Sequence, residues 1–227
     1  MSICKGLIPI IEQRLADILA LRQVKRLKPD QSYVSEGDLL CQKVIFDYFG
    51  KLNLNLRFVS EEQPEIERVE LEPDTFIIVI DPIDGTENFV SGLKEWGIGI
   101  SIYHGGQHVE SLIALPELGE FLVSGDTVPK YESRICGLSS SLDREDLLRL
   151  EPGFEYRIIG CCMYNMFNVI RGSYKKFQNP RGAHAWDILP GLNLALEHGL
   201  EVTVESEAYH GELLQPTGKY RFQVRNL

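Results

Sequence analysis

The sequence lacks a long hydrophobic run, and this absence excludes a membrane-spanning helix. Such a helix needs about 20 consecutive, predominantly apolar residues, and no stretch of the 227 residues approaches that length. The apolar run after Lys5 ends at Ile11 because Glu12 interrupts it, so we expect no secretory signal segment. The sequence therefore predicts a cytoplasmic protein without a membrane partner.

Cysteine is scarce, and its spacing matches no zinc-binding pattern. The number of cysteines is odd, which argues against a disulfide framework, and reduced thiols of the cytosolic kind are the simplest interpretation. The five cysteines are Cys4, Cys41, Cys136, Cys161 and Cys162.

Basic residues are also fewer than acidic residues. Lys and Arg number 23 against 33 Asp and Glu, which gives a net charge of −10. This balance excludes broad nucleic-acid binding through a basic face. An acidic protein can still bind an anionic substrate when metal ions invert the local charge.

Acidic residues are present at the ends of apolar runs, in separate parts of the chain. Glu61 stands in the run SEE, Asp81 follows the continuously apolar run 75–80, and Asp187 stands in WDILPG. The run 75–80 is typical of a buried strand, and α/β sheets place ligands at the carboxyl ends of their strands. Two carboxylates on one turn, Asp81 and Asp84, repel each other unless positive charge lies between them. Because Mg²⁺ prefers hard oxygen ligands, the pattern predicts a magnesium site.

Each of these features has an ordinary structural explanation when it is taken alone. Asp84 followed by Gly85 is typical of a hairpin turn, and Glu61 followed by Glu62 is typical of a solvated loop. Asp187 alone would be a helix N-cap. Their occurrence together, at this spacing, favours the metal site.

Three motifs in order, SEE, DPIDGTENF and WDILPG, resemble those of the inositol monophosphatase superfamily. That group includes inositol phosphatases, bisphosphate nucleotidases and fructose bisphosphatases, and the resemblance covers most of the chain. It implies an α+β fold, the layered αβαβα sandwich of inositol monophosphatase and fructose-1,6-bisphosphatase. It also implies a Mg²⁺-dependent phosphomonoesterase that lithium commonly inhibits.

The resemblance also implies a set of metal ligands for two or three Mg²⁺ ions. Glu61, Asp81 and the Ile83 carbonyl would hold the first ion. Asp81, Asp84 and Asp187 would hold the second, with Asp81 bridging the two.

The catalytic and substrate-binding residues are likewise carried over from the resemblance. Thr86, held near Glu61, would help to orient the attacking water, and Asp38 would hydrogen-bond Thr86. Family members use backbone groups near the substrate at the segment that contains Cys161 and Cys162. The catalytic residues would be Glu61, Thr86 and Asp38, and the substrate-binding residues would be Gly85, Thr86, Cys162 and Asp187.

The predicted function is hydrolysis of the phosphate monoester of a small polyol or sugar phosphate, in which metal ions activate the water. Around Gln178 and Asn179, where inositol phosphatases usually present a glutamate, this sequence carries amides. A 3′(2′),5′-bisphosphate nucleotidase of the same superfamily therefore stays open as an alternative function, as does a catalytically weak regulatory or binding protein on this fold.

A haloacid-dehalogenase-type phosphatase is disfavoured, because its second Asp lies two residues after the first, whereas Asp84 lies three after Asp81. The oligomeric state, with a homodimer as one option, stays open.

Hydrophobic periodicity and turn residues divide the chain into helices and strands. A polar, turn-rich stretch at 125–142 is the expected junction between an N-terminal α+β lobe, 1–125, and a C-terminal α/β lobe, 126–227. The first lobe would carry the metal-site motifs, and the second would supply Asp187 and substrate specificity. The expected helices are 2–24, 36–49, 143–150, 161–171 and 187–198; the expected strands are 56–60, 75–80, three runs within 97–124, 156–160, 174–178 and two near the end of the sequence.

Overall fold

The computed structural model describes residues 2–29, 31–63 and 67–226, which form helices packed on two large sheets and one two-stranded hairpin. The helices are α1 (Ile3–Ala20), α2 (Glu36–Phe49), α3 (Thr86–Val90), α4 (Arg144–Leu148), α5 (Cys162–Ile170) and α6 (Ala185–Glu197). The strands are β1 (Lys25–Leu27), β2 (Tyr33–Ser35), β3 (Leu56–Ser60), β4 (Phe76–Asp84), β5 (Gly97–His104), β6 (Gln107–Leu115), β7 (Glu120–Val123), β8 (Ile135–Leu138), β9 (Glu155–Ile158), β10 (Lys176–His184), β11 (Glu201–Val204), β12 (Glu207–Ala208) and β13 (Lys219–Arg225).

The first sheet has the strand order β3-β4-β5-β6-β7, with β3 and β4 parallel and the remaining pairs antiparallel. Residues 76–80 of β4 are all apolar, as expected for a strand whose two faces are both buried. Ile78 and Ile80 belong to the core that contains α1 and α2, whereas Ile77 and Val79 belong to the core that contains α5 and α6. Alternate side chains of one strand thus fill two different hydrophobic layers.

The second sheet has the order β12-β11-β13-β10-β8-β9. Its inner face, with Phe177 and Phe222, packs on α5 and α6 in the same core that reaches the first sheet. Its outer face, with Gln178 and Gln223, lines a cavity of about 650 Å³ together with residues of α4. The order of layers is therefore helices, sheet, helices, sheet and one short helix, which confirms the predicted α+β sandwich.

Local sequence signals explain the elements that were predicted closely. Helix α2 begins after Ser35, whose side chain accepts hydrogen bonds from the Gly37 and Asp38 amides, and it ends at Gly50. The three antiparallel strands predicted within 97–124 are present as β5, β6 and β7. No helix in the described part of the chain combines the length and apolar content that a bilayer crossing requires.

Other boundaries differ from the prediction. The stretch 125–142 is not wholly a junction, because it contains β8, which pairs with both β10 and β9. Gly137 weakens the strand signal there, yet a Cβ at this position would lie 2.8 Å from Asn165 Oδ1, so close packing requires glycine. Helix α1 ends at Ala20 rather than 24. The division into lobes at 125 and 126 stays a prediction, since α5 and α6 join both sheets in one core.

Candidate metal centre

Three carboxylates from distant parts of the chain converge at one end of the first sheet. Glu61, Asp81 and Asp187 each offer an oxygen, and these oxygens all lie within 4.8 Å of one another. Glu61 and Asp81 directly follow Ser60 and Ile80, the last residue pair between the parallel strands β3 and β4. Parallel strands end at the same edge of a sheet, so these two carboxylates are neighbours, and the first turn of α6 supplies Asp187.

A β-bulge places Asp84 on the same face of β4 as Asp81. Residues three apart in a regular strand point to opposite faces. Here Asp81 pairs with Gly99 and Asp84 pairs with Gly97, so three steps on β4 match two steps on β5. Both carboxylates therefore face α5 and α6, and the glycines opposite them leave room, since a Cβ at Gly97 would lie 2.7 Å from Met163 Cβ.

Asp81 is the most isolated carboxylate of the cluster. It is 1% exposed, and neither of its oxygens has a hydrogen-bond partner within the described residues. Burial raises the pKa of Asp81 well above its ordinary value, and the negative charges of Glu61, Asp84 and Asp187 raise it further. A buried carboxylate without a partner lowers the stability of the folded protein, and a bound cation would remove this destabilisation.

Asp84 and Asp187 are buried beside Asp81 but have hydrogen-bond donors. Burial raises the pKa of Asp84 to about 6, although the Cys161 thiol and the Met163 amide favour its charged form. Burial, followed by the charge of Glu61, raises the pKa of Asp187 well above its ordinary value. Asp187 is the third residue of α6 rather than its N-cap, and its Oδ2 accepts a hydrogen bond of 2.8 Å from the His184 amide.

Thr86 and Asp38 are in contact, which is the pairing that the family resemblance implies. Thr86 Oγ1 lies 3.2 Å from Asp38 Oδ1 and 3.0 Å from the Ile83 carbonyl oxygen. Burial raises the pKa of Asp38 to about 6, against the hydrogen bonds that Ser35 donates to it. No hydrogen bond joins Thr86 to Glu61 among the described residues.

Gly85 and Cys162 both lie beside Asp84, Gly85 as the next residue of the chain and Cys162 in the lining of a shared cavity. Gly85 is not part of a hairpin turn; it has a φ of +80° and directly precedes α3, and a Cβ there would lie 2.9 Å from Cys161 Cβ. This conformation and this close approach both favour glycine. An open cavity of about 230 Å³ is lined by Asp84, Ser139, Ser140, Ser141, Gly160, Cys162, Asn165, Asn179, Gly182, Ala183, His184, Asp187 and Lys219.

Lys28 is a site residue that the sequence reasoning missed. The hairpin of β1 and β2 carries it to the acidic cluster, where its Nζ lies 2.8 Å from Glu61 Oε1 and 2.6 Å from Glu62 Oε1. Burial lowers the pKa of Lys28, but the charges and hydrogen bonds of the two glutamates outweigh it and raise the pKa overall. Burial and the charge of Glu61 raise the pKa of Glu62 to about 7. No periodicity marks Lys28 in the sequence, because it lies in a turn of the hairpin.

Lys28→Met should destabilise the metal-free protein by about 1–2 kcal/mol, because it leaves Glu61 and Glu62 half-buried without their cation. The free energy of unfolding, measured by urea denaturation without divalent ions, checks this value. Lys43→Met is the matched control: Lys43 pairs with Asp47 at 68% and 58% side-chain exposure, and such exposed pairs contribute about 0.5 kcal/mol or less. Equal effects of the two substitutions would contradict a role for Lys28 at the acidic cluster.

Comparisons with known proteins agree with the geometry. The sequence model described as the inositol monophosphatase family matches residues 1–225. An inositol-1-monophosphatase of Mesorhizobium japonicum is 31% identical over 198 residues, which are 76% of this chain and 72% of that protein. A 3′(2′),5′-bisphosphate nucleotidase CysQ of Aggregatibacter actinomycetemcomitans is 29% identical over 94 residues, which are 41% of this chain and 35% of that protein.

Solved structures share the fold. A staphylococcal inositol monophosphatase-1, described as a LiCl-soaked inhibitory complex, superposes with a TM-score of 0.80 at 17% identity, covering 100% of this chain and 91% of the other.

Proposed function

The chain belongs to the inositol monophosphatase family, and on that premise we propose that it is a Mg²⁺-dependent phosphatase of small polyol or sugar phosphates. The family and its named relatives are phosphatases. The observation that carries the metal dependence is the buried Asp81 carboxylate, which has two unpartnered oxygens in the cluster with Glu61 and Asp187.

The donor set fits magnesium. All side-chain donors are carboxylate oxygens, the hard ligands that Mg²⁺ prefers, and no thiolate or imidazole joins the triad that converges among the described residues. Glu61, Asp81 and the Ile83 carbonyl would hold one ion, and Asp81, Asp84 and Asp187 would hold another. Bound ions would reverse the sign of the site for a phosphate dianion, lower the pKa of water there and stabilise the leaving oxygen.

The neighbouring residues would position the reactants. Thr86 would orient the attacking water through its hydroxyl, and Asp38 would fix the direction of that hydroxyl, which lies 3.2 Å from the Asp38 carboxylate. The backbone amides of Gly85 and Thr86 would contact the phosphate, since Gly85 presents no side chain that blocks its approach. Lys28 would hold Glu61 and Glu62 in place from the opposite side.

A polar lining on the substrate side supports a hydroxylated substrate. Serine hydroxyls at 139–141 and the Asn179 amide line the cavity beside Asp84 and Asp187. These groups can donate and accept hydrogen bonds, as the hydroxyls of a polyol or a sugar do.

The second candidate, a 3′(2′),5′-bisphosphate nucleotidase, is favoured by Lys219. This residue lines the same cavity, is exposed, and no salt bridge occupies its ammonium group within the described residues. A second phosphate of the substrate could pair with it. The CysQ relative is named for this activity.

A substrate panel with and without Mg²⁺ tests the proposal. Inositol phosphates, hexose phosphates, fructose 1,6-bisphosphate and 3′-phosphoadenosine 5′-phosphate should separate the two candidates by kcat/KM. We expect Asp84→Asn to lower turnover at least about a hundredfold while the far-UV circular dichroism stays unchanged. Asp47→Asn, on the exposed side of α2, is the control that should keep full activity.

Two outcomes would contradict the proposal. Full activity in Asp84→Asn would defeat the assignment of metal ligands. Absence of turnover on every phosphate, in a protein that binds Mg²⁺, would favour the regulatory or binding protein instead. Lithium inhibition, the number of ions, a cytoplasmic location and a homodimer stay predictions, and lithium inhibition can be read from the same assay.

A further inference from the structure

The side chain of Asp84 is held by the beginning of α5. Its Oδ2 accepts a hydrogen bond from the Cys161 thiol, with an Sγ to oxygen distance of 3.0 Å, and a second, shorter one from the Met163 amide. The Cys162 amide also faces the carboxylate. Asp84 is 8% exposed and Cys161 is 2% exposed, so water does not compete freely for these contacts.

The direction of the Cys161 S–H bond is fixed by a second contact. Cys161 is the N-cap of α5, and its Sγ accepts a hydrogen bond of 3.3 Å from the Tyr164 amide. Since the sulfur accepts there, its single proton is available for Asp84. N-cap positions are normally taken by Ser, Thr, Asp or Asn, whose side-chain oxygens accept the same bond. In this chain a thiol takes that place.

Close packing holds the thiol in place. Gly85 approaches Cys161 so tightly that a Cβ on Gly85 would lie 2.9 Å from Cys161 Cβ and 3.2 Å from the Gly160 carbonyl oxygen. The turn 84–85 and the start of α5 thus fit against each other with little freedom. A change at 161 acts directly on Asp84.

We infer that Cys161 is a positioning residue for Asp84: its thiol fixes the rotation of the carboxylate and so the oxygen that is presented to a metal ion. The inference rests on the proposed function, in which Asp84 is a ligand. Cys161 itself does not line the cavity that Asp84 and Cys162 border. Groups that orient metal ligands typically change metal affinity by about 10–100-fold when they are removed.

The experiment compares Mg²⁺ affinity in Cys161→Ala and Cys161→Ser by isothermal titration calorimetry. We expect Cys161→Ala to weaken Mg²⁺ binding about tenfold or more, because it removes the donor. Cys161→Ser keeps a donor and an acceptor and should stay within about threefold of the wild type. In steady-state assays, the Mg²⁺ concentration for half-maximal rate should rise in Cys161→Ala, while kcat at saturating Mg²⁺ changes less. Cys136→Ala, a buried cysteine on β8 without a contact to Asp84, is the control and should bind like the wild type.

The outcomes separate the two proposals. Wild-type affinity in Cys161→Ala would overturn the positioning role and leave the phosphatase proposal intact. Equal losses in Cys161→Ala and Cys161→Ser would also overturn it, because the hydrogen bond would not be the cause. Absence of Mg²⁺ binding by the wild type would defeat the proposed function and this inference together. Should Cys161→Ala fail to fold, the isosteric pair Cys161→Thr and Cys161→Val repeats the comparison, and equal affinities in that pair would overturn the inference.

Discussion

Asp81→Asn should abolish turnover and yet make the metal-free protein more stable than the wild type at pH 7. Asp81 is the proposed bridging ligand, so we expect the loss of its charge to lower kcat/KM by about a thousandfold or more. Without metal the same charge destabilises the folded protein, because it is buried among Glu61, Asp84 and Asp187 without a hydrogen-bond partner. The neutral amide removes that repulsion.

The stability gain should be modest, on the order of 1–2 kcal/mol, because the asparagine side chain introduced at this position would itself be a buried polar group with few partners. Urea denaturation in the presence of a chelator measures the gain, and an assay on the best substrate measures the loss. Asp47→Asn, which removes an exposed carboxylate, should change neither quantity. Lower stability of metal-free Asp81→Asn would contradict this prediction. It would mean that the Asp81 carboxylate stabilises the fold through its own contacts, and that its role is not to bind an ion.

The parts of the fold with local signals could be predicted from the sequence. Helix α2 has a capping serine, a glycine at its end and a regular apolar face, and its predicted bounds of 36–49 are confirmed. Residues 76–80 are apolar on both faces of the strand because β4 is buried between two helical layers. The meander of β5 to β7 follows from its turn residues. In each case residues close in sequence determine the outcome.

The parts that depend on distant contacts could not be predicted in the same way. The bulge that brings Asp81 and Asp84 to one face is a register shift against β5, and nothing in the DPIDG segment alone reveals it. Lys28 reaches Glu61 and Glu62 only because the hairpin of β1 and β2 places it there. The Cys161 contact with Asp84 joins the N-cap of α5 to the last residue of β4, and these lie in different predicted lobes. Convergence of the acidic triad was expected from the family resemblance, whereas these supporting contacts needed the structure.

The acidic cluster should make the stability of the metal-free protein fall as the pH rises. Burial raises the pKa of Asp38 and Asp84 to about 6 and that of Glu62 to about 7, and it raises the pKa values of Asp81 and Asp187 well above their ordinary range. Unfolded carboxyl groups titrate near pH 4. Between these values the folded protein binds more protons than the unfolded chain, so the free energy of unfolding decreases with rising pH. The decrease should extend from about pH 5 to beyond pH 7.

Magnesium should oppose this decrease, because it binds the same carboxylates in their charged form and competes with protons. At a concentration about 100 times its dissociation constant, Mg²⁺ would stabilise the folded protein by about 2.7 kcal/mol, which corresponds to a rise in Tm of roughly 5–10 °C for a chain of this size. The rise should be largest at pH 8 and small at pH 5.

Thermal unfolding between these two pH values measures both trends, and KCl at equal ionic strength is the control for screening. Asp81→Asn should flatten the pH dependence and remove most of the Mg²⁺ effect. A Tm that rises with pH in the metal-free protein, or a Mg²⁺ effect equal at pH 5 and pH 8, would show that the cluster does not exchange protons for ions.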